Sequence, residues 1–168
     1  MKSETLFEAT IPVFIRFLHN LDAILSAGER YVAEGKISEQ ALLDGKLAPD
    51  MYNTIQQVGY AYFMALETVT NMTGKAAPEF GYDEKSIGQL HESLGRVTTF
   101  LRTIKPEDFA DADGKEVKTY LSEDKTFPPD IYVRELAVPN FFFHVTTAYD
   151  ILRHLGVPLT KQDYLGSR

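Results

Sequence analysis

His144 is the residue in this chain whose surroundings could support chemistry. It follows Phe141-Phe142-Phe143, with Asn140 about one turn before it and Thr147 about one turn after. At that spacing an amide, an imidazole and a hydroxyl share one face of an otherwise apolar helix. Such a ladder must be hydrogen-bonded or ligated, because an unpaired polar group in a core costs on the order of 1–3 kcal/mol. Two readings stay open: a satisfied network that fixes helix register, or a ligand pocket or metal site.

The other three histidines have plainer settings. His91, beside Glu92 at the edge of the Leu90–Leu94 stripe, reads as a half-exposed boundary residue. His154 falls in the last turn of its helix, where an imidazolium would favour the negative end of the dipole. His19 and Asp22 are three apart and share a face, offering one nitrogen and one oxygen to a metal, or forming a hydrogen-bonded surface pair. Two ligands do not complete a metal site.

Much chemistry is excluded by what the chain lacks. It has no cysteine, which removes disulfides, thiolate zinc sites and thiol nucleophiles. It contains no GxGxxG, phosphate-loop, GxSxG or HExxH pattern, and no pair of Glu-x-x-His helices. The formal net charge is −7, from 17 basic and 24 acidic residues, and the longest local concentrations of basic residues are scattered pairs such as Lys115 and Lys118. This speaks against nucleic acid, which requires a basic stripe, and against anionic lipid. Glu4, Glu8 and Arg16 interrupt the amino-terminal region, so it does not read as a secretory signal, and no run of about 18 apolar residues could span a membrane. A cytoplasmic protein is expected.

The elements that must position these residues are helical. With 44% hydrophobic residues, 168 residues suit one domain, 1–168. A first helix is predicted over about Leu6–Glu34, with Gly35 after its end, then a short amphipathic piece from Ser38 to Leu43. A second long helix is expected from Pro49 to Gly74. The third should run over 83–105, capped by Asp83, carrying Leu90, Leu94, Val97 and Leu101 into the core, and ending before Pro106. The fourth, roughly Pro129 to Leu155, is apolar around most of its circumference, and Pro139 must start or kink it. Between the third and fourth helices Val117, Thr119 and Leu121 alternate with polar residues, then Ser122–Lys125 reads as a turn, so a small β-hairpin fits there. The fold class is all-α, a four-helix bundle with that small hairpin.

The segment from Pro139 to Val157, with Pro12-Val-Phe, Leu47-Ala-Pro-Asp-Met, Gln57-Val58 and Asp163-Tyr-Leu-Gly, resembles a domain-of-unknown-function family. That family is grouped with the DinB-like and YfiT-like metal-dependent bundle proteins, and the likeness spans nearly the whole chain. The clan implies four long helices, frequent homodimers, and three histidines gripping a divalent metal: one on the second helix and a His-x-x-x-His pair on the fourth. Aligned by its Leu-Arg-x-Leu-Gly ending, the motif puts Asn140 at the first position of that pair and His144 at the second, with Gln57 near the second-helix ligand. One imidazole of three remains. Gln57 and Asn140 offer amide oxygens, weak donors for zinc or nickel.

The expectation is therefore a bundle protein with a small-molecule pocket around a degenerate metal site, its candidate residues Gln57, Asn140, His144 and Thr147, and no tightly held cofactor. The alternative is a metal-dependent enzyme activating a thiol or water, with zinc or nickel on His144. The expected partners are a second copy of the chain and a small molecule.

Overall fold

The computed structural model describes residues 3–166. Four long helical stretches pack around one contiguous core. They are α1 (Ser3–Ala33), α3 (Thr54–Thr73), α4 (Ile87–Leu101) and a final composite helix ending in α6 (Val138–His154). Short α2 (Glu39–Leu43) and α7 (Lys161–Leu165) flank them. Among the described residues no helix is long and apolar enough to cross a membrane.

Helices α3 and α4 begin where a side chain can capture orphan backbone donors. For α3 that residue is Asn53, not the expected Pro49. Its Oδ1 accepts from the Gln56 amide at 3.0 Å while Gln56 Oε1 accepts from the Asn53 amide at 3.1 Å. Thr54 Oγ1 donates to the Leu42 carbonyl at 2.7 Å and fastens this start to α2. Gly74, at φ +72°, ends the helix in the left-handed region.

The third helix is shorter than its periodicity predicts. Ser86 Oγ accepts from the Gln89 amide and sets the start at Ile87, so Asp83 is not the cap. The preceding residues instead form an irregular strap over α3, turned at Tyr82, whose φ is +52°. At the other end Pro106 does not simply stop the chain but opens a 3-10 helix over Pro106–Ala112. Leu90, Leu94, Val97 and Leu101 are all at most 1% exposed, as the three-four spacing requires, and truncating one to alanine would cost roughly 2–5 kcal/mol.

Pro139 is absorbed rather than avoided. The final helix runs as α5 (Pro129–Ile131), a π-helical stretch over Tyr132–Ala137, and then α6, in which Pro139 sits in the first turn. A proline ring collides with the carbonyl four residues back. The wider turn, in which the Val138 amide bonds the Val133 carbonyl five residues back, opens the backbone just before the ring. A π turn also rotates everything after it about the helix axis, which fixes the direction in which His144 is presented.

The hairpin forms between β1 (Val117–Thr119) and β2 (Ser122–Phe127), antiparallel, with Thr119 opposite Ser122. Its turn lies at Tyr120-Leu121, earlier than the expected Ser122–Lys125, which is strand instead. Tertiary bonds explain the shift. Thr119 Oγ1 donates to Glu67 of α3 at 3.2 Å, and the Tyr120 hydroxyl reaches Asn140 of α6.

Candidate functional site

Helices α3 and α6 pack closely against each other, and Gln57 and His144 meet between them. Both are buried, 1% and 5% exposed. Gln57 Nε2 donates to the Tyr52 carbonyl at 3.4 Å, so Oε1 faces the imidazole and accepts from Nδ1 at 2.7 Å. This arrangement assigns the Nδ1–H tautomer and leaves the Nε2 lone pair without a protein partner among the described residues. Burial holds the imidazole well below its usual range, at about 4, so it is neutral at physiological pH.

The polar ladder of α6 divides among different partners. Asn140 Nδ2 donates to the Tyr120 hydroxyl at 2.9 Å. Thr147 Oγ1 donates to the Phe143 carbonyl of its own helix at 2.7 Å, which leaves it no visible part in a shared site. Of the four candidates, Gln57 and His144 are directly bonded, and Asn140 joins through the hairpin. As a metal site the set does not fit: one imidazole with two amides lacks the further imidazole or carboxylate donors that a divalent transition ion requires. Among the described residues no three His, Asp or Glu side chains are grouped to hold one.

What surrounds the pair is aromatic. The His144 ring stacks on Tyr60 with centroids 5.2 Å apart and planes 23° apart, and Tyr60 stacks on Tyr52 at 4.7 Å and 10°. The two phenols are hydrogen-bonded at 3.1 Å. That bond and then burial push the Tyr60 phenol up to about 12, so it stays neutral. Beyond Tyr60 opens a cavity of about 500 Å³, walled by Ile55, Gly59, Phe63, Tyr82, Tyr120 and Glu84. The exposed aromatic side chains Tyr52, Tyr82, Tyr120 and Phe143 all belong to this cluster.

Two carboxylates brace the walls. Glu84 accepts from the Tyr62 hydroxyl at 2.7 Å and from Ser93 at 2.6 Å, both through Oε1, which ties the strap to α3 and α4. Tyr82 stacks on Tyr62 at 5.4 Å and 15°. Glu67 accepts from Tyr132 at 3.0 Å and from Thr119, holding the hairpin that carries Tyr120, and burial raises its carboxyl above the ordinary range.

None of these wall residues was singled out from sequence. Tyr60 is three residues after Gln57 on the same helix and was within reach of a facing argument. Tyr82, Glu84 and Tyr120 come from irregular segments and carry no periodic signal. The remaining histidines sit elsewhere. Asp22 bonds His91 Nδ1 across α1 and α4 at 2.6 Å rather than pairing with His19, which lines the same cleft. His154 is exposed at the end of α6.

The model of a domain of unknown function, DUF1993, matches residues 6–165 of this chain. The chain belongs to that family. This DUF1993 chain is also similar to a solved structure described as a DinB family member protein from Shewanella denitrificans, with 34% identity and a TM-score of 0.92, over 99% of this chain and 94% of that one. No curated protein matches. The DinB-like architecture is thus shared along essentially the full length.

Proposed function

We propose that this DUF1993 chain binds a small molecule in the aromatic cavity beside a degenerate metal site formed by Gln57, Asn140 and His144. One juxtaposition carries the reading: a cavity of about 500 Å³ opens on Tyr60, whose ring stacks on the neutral, desolvated imidazole of His144. That volume is within the usual range for small-ligand sites, and apolar walls with a few polar groups are their usual lining. The rings supply contact area, and Gln56, Glu84 and the tyrosine hydroxyls supply the polar groups of the wall.

The test uses Gly59, where an added Cβ would meet nothing closer than 3.9 Å. Leucine at that position grows toward the cavity and improves helix propensity. Ligand-observed NMR with a library of small amines, alcohols and acids should find binders to the protein that are lost in Gly59→Leu. Binding that is unchanged in this variant would overturn the reading.

The competing reading is a metal-dependent enzyme, favoured by the DinB-like resemblance and the available Nε2. Elemental analysis of untagged protein showing near one divalent metal per chain, lost in His144→Ala, would establish it instead. We further propose a cytoplasmic homodimer. The clan resemblance and the exposed rings of Tyr52 and Phe143 support self-association, and the absence of cysteine suits a reducing compartment. Light scattering that gives the 19.0 kDa chain mass across a wide concentration range would sink the dimer.

A further inference from the structure

We infer that the ligand of this cavity is an alkylated ammonium cation, held against the rings of Tyr60, Phe63, Tyr82 and Tyr120 and neutralised by Glu84; this rests on the small-molecule reading above. The rings form a continuous aromatic wall. Phe63 stands at 75° to Tyr60, 74° to Tyr82 and 70° to Tyr120, with centroids 6.1, 6.0 and 5.2 Å away. The three tyrosine rings are therefore packed edge-to-face against Phe63, and all four rings line the one cavity.

Aromatic faces carry partial negative charge, and walls of this kind favour a cation over a neutral body of the same shape. The phenols do not ionise to compete with that role: Tyr60 is raised to about 12, and burial raises Tyr82 and Tyr120 as well. The wall contains one carboxylate, Glu84, and no lysine or arginine. Glu84 Oε1 is occupied by Tyr62 and Ser93, while Oε2 has no protein partner among the described residues. An anionic ligand would meet this carboxylate uncompensated, and a neutral one would leave it unused. A soft, poorly hydrated alkylammonium group uses both the rings and the charge, and a compact ammonium ion would lose more hydration on entry.

The test compares choline with its neutral carbon isostere, 3,3-dimethylbutan-1-ol, by isothermal titration calorimetry on the intact chain. Choline should bind at least tenfold more tightly than the isostere, and Glu84→Gln should weaken choline by about tenfold while leaving the isostere unchanged. The glutamine keeps an oxygen for Tyr62 and Ser93, and circular dichroism checks that the variant folds. Equal binding of the two probes, both lost in Gly59→Leu, overturns the cation and leaves the pocket standing. If neither choline, tetramethylammonium nor the isostere saturates the protein at millimolar concentration, the cation assignment falls. The small-molecule reading falls with it only if the broader NMR screen is also empty.

Discussion

Gln57 Oε1 lies 2.7 Å from His144 Nδ1, and the two residues come from facing helices 87 positions apart in the chain. Neither is satisfied within its own helix. Gln57→Leu should therefore destabilise the protein by about 1–3 kcal/mol by leaving a buried N–H without an acceptor, and His144→Ala by a similar amount. The double variant Gln57→Leu/His144→Ala should cost less than the sum of the two single changes. Chemical denaturation would check this, and strict additivity would show that the pair is not coupled.

The same imidazole predicts a pH dependence. Its folded value, about 4, is below the 6.5 of the unfolded chain. The folded state therefore disfavours the proton. The stabilisation is fully present above pH 6.5 and drains away as pH falls toward 4, with a magnitude of order 2 kcal/mol. Urea midpoints measured across this window should fall more steeply for the parent protein than for His144→Leu. Parallel profiles would refute the assignment.

Glu67 has the opposite sign. Burial raises its folded carboxyl value above the unfolded one, so the fold prefers the protonated form. This contribution is present below the unfolded value and is lost as pH rises through the raised folded value. Glu67→Gln should flatten that part of the profile. The variant should also loosen the hairpin that carries Tyr120, because one amide oxygen must serve where two carboxylate oxygens accept from Thr119 and Tyr132. Hydrogen exchange at residues 117–127 should then speed up, and protection equal to that of the parent would contradict the bracing role.

The start of α4 offers a fourth test. Ser86→Ala should cost about 1 kcal/mol through loss of the bond to the Gln89 amide, whereas Asp83→Ala should have little effect on helix stability. Thermal unfolding of the two variants distinguishes them. A larger loss at Asp83 would restore the longer helix that the periodicity predicts.

How much was legible in sequence follows from where each signal resides. Leu90, Leu94, Val97 and Leu101 announce a core-facing helix because a regular element repeats its burial every three or four residues. The apolar circumference of the last helix, the stops at Gly35 and Gly74, and the unusual polar face bearing Asn140 and His144 are legible for the same local reason. Pro49 marks too early a start, because the reciprocal Asn53–Gln56 bonds and the Thr54 bond to Leu42 set the first turn. No local feature shows that Pro139 would be accommodated by a π turn rather than a kink.

The tertiary structure alone decided the partners. Asp22 shares a helix face with His19, yet it bonds His91, because helix packing places that imidazole across from it. Asn140 and His144 share a face, yet one reaches a hairpin and the other a helix. The cavity wall draws on α3, the strap before α4 and the hairpin turn, segments separated by tens of residues. Sequence determines which residues are apolar and which helix turns they occupy, because those preferences are set by neighbours within one turn. Which polar groups meet is set by contacts between distant segments, and a hydrogen bond between two helices leaves no mark on either helix's own periodicity.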